Sequence, residues 1–154
     1  MARAGFYSIH TSKLRFRSDG QWYADDEPVT HERLARVFSR YLRRKPAGGY
    51  EIWIDEHCHA DVEVEDTPYV VTAVNSDDQG YMSVELNDDT IEHLDPDSLQ
   101  VGSGNVLYCR VKGGAERARL LRPAYYQLAN FIEEAAPGQF QFRCGGTTHP
   151  ITCC

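Results

Sequence analysis

The stretch Asn105-Val106-Leu107-Tyr108-Cys109-Arg110-Val111-Lys112-Gly113-Gly114-Ala115-Glu116-Arg117-Ala118-Arg119-Leu120-Leu121 is written as a β-hairpin. Leu107, Cys109 and Val111 alternate with Tyr108, Arg110 and Lys112, the period of a strand with one buried face. Gly113-Gly114 supplies the turn, since a two-residue hairpin loop needs backbone angles that glycine adopts freely. A turn centred there pairs Lys112 with Ala115, Arg110 with Arg117 and Tyr108 with Arg119. Lys112, Arg110, Arg117 and Arg119 then share one side of the ribbon, and Leu107, Cys109, Val111, Ala118 and Leu120 the other. Like charges facing each other destabilise a ribbon, so something acidic is expected beside them. The candidates are a bound anion and the chain's own Asp61, Glu63, Glu65 and Asp66.

Pro123 follows as a first helical residue. The apolar Tyr126, Leu128, Ala129, Phe131 and Ile132 predict a helix that closes at Glu133-Glu134, before Pro137-Gly138. Residues 137–154 read as an appended Cys-containing tail with a strand near Gln139–Arg143. Upstream, Tyr69 to Val74 is a continuous apolar strand, central in a sheet; Asn75 to Gly80 is a hairpin loop and Tyr81 to Leu86 the return strand. Residues 87–104 read as irregular. Between 50 and 65, Tyr50, Ile52, Ile54, Ala60, Val62 and Val64 alternate with polar residues, with a break near Asp55–His57. Leu34, Val37, Phe38, Tyr41 and Leu42 predict a helix over 31–44, capped by Thr30 and closed by Arg43-Arg44-Lys45 before Pro46. Trp22 anchors a short strand between two turns. The order of elements predicts an α+β fold: two small antiparallel β plus helix units at 18–66 and 67–136, an N-terminal arm or edge strand at 1–17 and the tail at 137–154.

The chain has 154 residues, 16 Lys+Arg against 23 Asp+Glu, and a net charge of −7. That balance argues against a nucleic-acid module. No run reaches the roughly 18 apolar residues of a membrane span. The first ten residues lack the apolar core of a secretory signal. The five cysteines include a vicinal pair, Cys153-Cys154, which is no disulfide framework. A cytoplasmic protein with reduced thiols is expected.

Asp55, His57, His59 and Asp61 would line one face of an unbroken strand, and two imidazoles with two carboxylates suit a transition metal. A metal-dependent enzyme is the alternative they raise; the plain reading is a solvated polar face. Cys144, His149, Cys153 and Cys154 are adequate for zinc in kind, but without paired C-x2-C knuckles. Cys58 has its neighbours His57 and His59 on the opposite strand face, so it lacks a base. No G-x-S-x-G occurs, and Gly102-Ser103-Gly104-Asn105 lacks the Lys of a phosphate loop. No catalytic set and no cofactor is expected. Arg33, Arg36, Arg40, Arg43 and Arg44 fall on one helix face, a stripe that would suit an acidic partner.

Asp19-Gly20-Gln21-Trp22-Tyr23 with Glu27-Pro28-Val29, Val62-Glu63-Val64-Glu65-Asp66-Thr67-Pro68-Tyr69, and Arg122-Pro123-Ala124-Tyr125-Tyr126-Gln127-Leu128 together resemble the bacterial domain of unknown function 1285 (DUF1285) family. The V-E-D-x-P and R-P-x-Y-Y pieces are the more specific. The match runs over about residues 18–134. Where that family carries a T-P-V-E-like segment, this chain has Ile54-Asp55-Glu56-His57-Cys58-His59. The resemblance implies two α+β units with repeated motifs, a soluble bacterial protein without established enzymatic activity, and a role in signal transduction or ligand sensing. From the residues themselves, Glu65, Asp66, Arg110, Arg117, Arg122 and Tyr126 are the ligand-site candidates. They would take a small anionic ligand, phosphate-bearing because Arg offers a bidentate fork, in a groove between the units. The plainer expectation is a salt bridge from Arg117 or Arg122 to Glu65 or Asp66.

Overall fold

The computed structural model describes residues 13–153, and the chain divides into two compact units at Pro68/Tyr69. Most of the arm expected at 1–17, and Cys154, lie outside the described residues.

In the first unit, β1 (Leu14–Phe16), β2 (Trp22–Ala24), β3 (Glu27–Pro28), β4 (Leu42–Arg44), β5 (Tyr50–Asp55) and β6 (Cys58–Val64) form one sheet in the order β3-β2-β1-β6-β5-β4. Residues 14–16, expected within an arm or an edge strand, are a strand inside the sheet, with Leu14 and Phe16 buried and β1 parallel to β6. The helix α1 (Glu32–Arg40) packs Phe38 into this core. Trp22 is the anchor the sequence suggested. Its ring lies 5.0 Å from Phe16 and 5.4 Å from Phe38, and its Nε1 donates to Ser39 Oγ at 2.8 Å. A buried indole N–H needs such a partner.

The helix is shorter than expected at both ends. His31, not Thr30, caps it, its Nδ1 accepting the Leu34 N–H at 3.3 Å. After Tyr41 the chain leaves the helix, because Leu42 is buried opposite Ile52 in a strand pair. Arg43 and Arg44 are therefore not a last helical turn. Arg43 lies 4.2 Å over the Trp53 ring and bonds Glu51 at 2.8 Å; Arg44 lies over Tyr50 at 5.1 Å. The expected stripe of five arginines is split between a helix and a strand.

In the second unit, β7 (Tyr69–Ser76), β8 (Met82–Leu86), β9 (Ile91–His93), β10 (Gln100–Val101), β11 (Leu107–Val111), β12 (Glu116–Leu120) and β16 (Thr152–Cys153) form a sheet in the order β16-β10-β11-β12-β7-β8-β9. The β7 strand lies inside it, as its apolar run requires. The hairpin register is as expected, Arg110 opposite Arg117 and Tyr108 opposite Arg119. Pairing stops at Val111–Glu116, one step before Lys112–Ala115. Lys112 takes φ 56°, followed by Gly113 at 69° and Gly114 at 88°. Lys112 thereby leaves the ribbon for Asp88, Nζ to Oδ2 at 2.6 Å, and for the Tyr69 ring at 4.9 Å.

The second helix also ends early. α2 (Arg122–Ala129) gives way to β13 (Ile132–Ala136), which pairs with β14 (Gln139–Cys144), and β14 with β15 (Thr147–Pro150). Residues 137–153 are thus no appended tail: Phe142 and Cys144 are buried in the core of the unit. The segment 87–104, expected as irregular, contains β9, β10 and two short 3₁₀ turns. Strand pairs β1–β6, β7–β12 and β10–β16 are parallel and the others antiparallel, so the α+β fold is richer in strands and more mixed than expected. Among the described residues no helix is long and apolar enough to cross a membrane.

Candidate functional site

A cleft of about 330 Å³ opens in the second unit, lined by Asp77, Tyr81, Met82, His93, Leu94, Pro96, Cys144, Thr147 and His149. Three parts of the chain build it. The β7–β8 hairpin brings Asp77, whose Oδ1 accepts the N–H groups of Gln79 (2.8 Å) and Tyr81 (3.0 Å). Such a carboxylate-capped turn is what Asp favours in loops. The β9 strand and the turn after it bring His93, Leu94 and Pro96. The β14–β15 pair brings Cys144, Thr147 and His149.

His149 is oriented by Asp97, Nδ1 to Oδ1 at 2.7 Å. An ionised carboxylate can only accept, so the shared hydrogen is on Nδ1, and Nε2 takes no part in that bond. Thr147 Oγ1 donates to the Cys144 carbonyl at 3.0 Å and keeps its lone pairs as acceptors. Met82, Leu94 and Cys144 are buried and, with Pro96, give the apolar floor. Tyr81, half exposed, lies across Gly145, where φ is +59° and a Cβ would fall on the ring. The Gly145 N–H donates to the Gly80 carbonyl at 3.1 Å, joining the two turns at the lip.

The residues singled out from the sequence have other fates. The turn at Glu56–His57 breaks the supposed metal strand: Asp55 accepts from the His57 N–H, His59 stacks on Trp53 at 4.7 Å, and Asp61 pairs with Lys45 at 2.9 Å. Cys144, His149 and Cys153 are likewise not gathered; among the described residues no group of three His, Cys, Asp or Glu can hold a metal. The Cys58 thiol is pushed up by burial and by Asp55, and burial with Glu92 and Asp95 pushes Cys109 to about 12. Neither is a thiolate at neutral pH.

Glu65 and Asp66 belong to the first unit, Arg110, Arg117, Arg122 and Tyr126 to the second. Glu65 accepts the Ser18 N–H at 2.8 Å, and that backbone bond holds its carboxyl below the usual range. Glu63 binds Arg15 at 3.1 Å. The acidic ridge Asp61–Glu63–Glu65 is therefore answered within its own unit. Arg117 lies 4.2 Å over the Tyr108 ring. Arg110, level with Arg117, and Arg122, five residues further along, are both exposed. Tyr126 is exposed, its ring edge-on to Tyr125 at 5.8 Å, while Tyr125 packs on the core. None of the six lines the cleft. Of the cleft residues, Cys144 and His149 carried a sequence signal, though for zinc; Asp77, Tyr81, His93 and Thr147 carried none.

A protein from Silicibacter pomeroyi DSS-3, described as a DUF1285 family member, superimposes with a TM-score of 0.69 at 17% identity over 97% of this chain and 89% of that one. A DUF1285 family protein from Shewanella baltica OS155 gives 0.60 at 18% identity over 78% and 92%. The chain has the DUF1285 fold. The motifs that resemble this family and the fold agree. No sequence-family profile and no curated protein matches the chain.

Proposed function

We propose that the protein is a non-enzymatic ligand-binding module of a regulatory kind, and that the cleft of the second unit is its ligand site. The observation that carries this is His149, fixed by Asp97 at the mouth of a 330 Å³ hollow with an apolar floor. Small-ligand sites combine mostly apolar walls with a few placed polar groups, at roughly 300–1,000 Å³. The test is a metabolite screen by thermal shift, followed by NMR of the histidine rings. Ligands of the proposed kind raise Tm and move the His149 and His93 signals. A screen in which no stabilising compound moves either signal removes the cleft from consideration.

A second reading, an anionic group or an acidic protein partner met by Arg110 and Arg122, is favoured by the exposure of both side chains. Charge reversal at the two positions, read by salt-sensitive pull-down, tests it. Loss of captured partner supports it, and unchanged capture ends it.

A further inference from the structure

We propose that the ligand of this cleft is a small primary amine with an apolar body, bound as its ammonium ion; this rests on the cleft being the ligand site. Among the described residues no lysine or arginine lines the cleft, while Asp77 does, and Asp97 stands behind His149. Asp77 has no cationic partner among the described residues; its Oδ1 is used by backbone N–H groups and its Oδ2 is left over. His149, with its hydrogen on Nδ1, offers a bare Nε2 when neutral. Thr147 Oγ1, having donated its hydrogen to the Cys144 carbonyl, offers lone pairs. The residues lining the cleft thus carry three acceptors: a carboxylate oxygen, an imidazole nitrogen and a hydroxyl oxygen. An ammonium group has three donors and no acceptor. A carboxylate or phosphate ligand would instead meet Asp77 with no lysine or arginine among the described lining residues to offset it. The floor of Met82, Leu94 and Pro96 takes an apolar body rather than a polyamine chain, whose second charge would be buried unpaired. The rim ring of Tyr81 adds the aromatic neighbour that cations favour.

The test compares phenethylamine and tyramine with phenylacetate and 4-hydroxyphenylacetate, on the full chain at pH 8, by calorimetry and by NMR of the histidine rings. The amines are expected to bind at least about tenfold more tightly than the matched acids, a difference of one decade in Kd, and to move the His149 signal. Asp77→Asn keeps the Oδ1 acceptor that caps the turn and removes the charge, so it should weaken amine binding about tenfold or more with Tm little changed. Should that variant fold poorly, Thr147→Val removes one acceptor from an exposed position and should weaken the amines alone. If the acids bind at His149 and the amines do not, the ligand class is wrong and the cleft stands. The same holds if other compounds move His149 while neither series does. Unaltered amine affinity in both variants also overturns the inference. If nothing moves His149, the cleft itself is lost as a site.

Discussion

The acidic ridge of the first unit and the cleft of the second both present carboxylates, with opposite outcomes. On the ridge, Glu63 meets Arg15, Asp61 meets Lys45 and Glu65 caps Ser18. Every one of these partners comes from the same sheet or its turns, at the surface. In the cleft, Asp77 spends one oxygen on its own turn and meets no cation among the described residues, and His149 is held by Asp97. A charge answered by its neighbours is part of the scaffold. A charge left unanswered beside a hollow is available for something that arrives from outside.

The contrast is open to experiment. The largest effect is expected at Phe142→Ala. Phe142 is fully buried beside Cys144, and such truncations cost about 3–5 kcal/mol. Chemical denaturation should show that loss, and the His149 resonance should shift with it, since the strand pair bearing His149 hangs on this ring. Next comes Lys112→Met. Asp88, only 6% exposed, would lose its ammonium partner. A cost of about 2 kcal/mol is expected, below the full penalty of a buried unpaired charge because Lys112 is itself partly exposed. This site also sets a pH dependence. Burial raises the Asp88 pKa, but the bonds from Lys112 and Thr90 outweigh it and hold it below the usual carboxylate value. A depressed carboxylate contributes stability that is present above its unfolded value of about 3.9 and fades as pH falls through the folded one. Urea midpoints measured between about pH 5 and pH 2 should fall more steeply for the parent than for Asp88→Asn. Gly145→Ala should cost about 1 kcal/mol for its left-handed backbone, with Tyr81 displaced and its fluorescence altered. The smallest effect is expected on the ridge, where Glu63→Gln removes an exposed pair worth about 0–1 kcal/mol. A larger loss there would erase the distinction between the two regions.

The local pattern carried the strands far and the helices less far. The hairpin register was legible because alternation of period two and a glycine pair leave one alignment that keeps Cys109 and Ala118 inside. The helix ends were not. Leu42-Arg43-Arg44 serves equally as a basic last turn or as a strand with one buried residue, and the choice falls to Ile52, ten positions away. Ile132-Glu133-Glu134 poses the same ambiguity, resolved by Phe142 across the pair. In both cases a long-range partner outweighed local helical spacing. The cleft was hidden for a related reason. Its parts lie as far apart as Asp77 and His149, and the contact that orients it, Asp97 to His149, spans 52 positions. His149 and Cys144 drew notice as thiol and imidazole chemistry, but nothing near them in the chain points to Asp97.

The ring of Tyr81 resting on Gly145 has an evolutionary consequence. The two positions are 64 apart by numbering yet share one small volume, so they are expected to drift together. A descendant that acquires a methyl group at 145 should survive by surrendering its aromatic at 81, and with it one wall of the hollow.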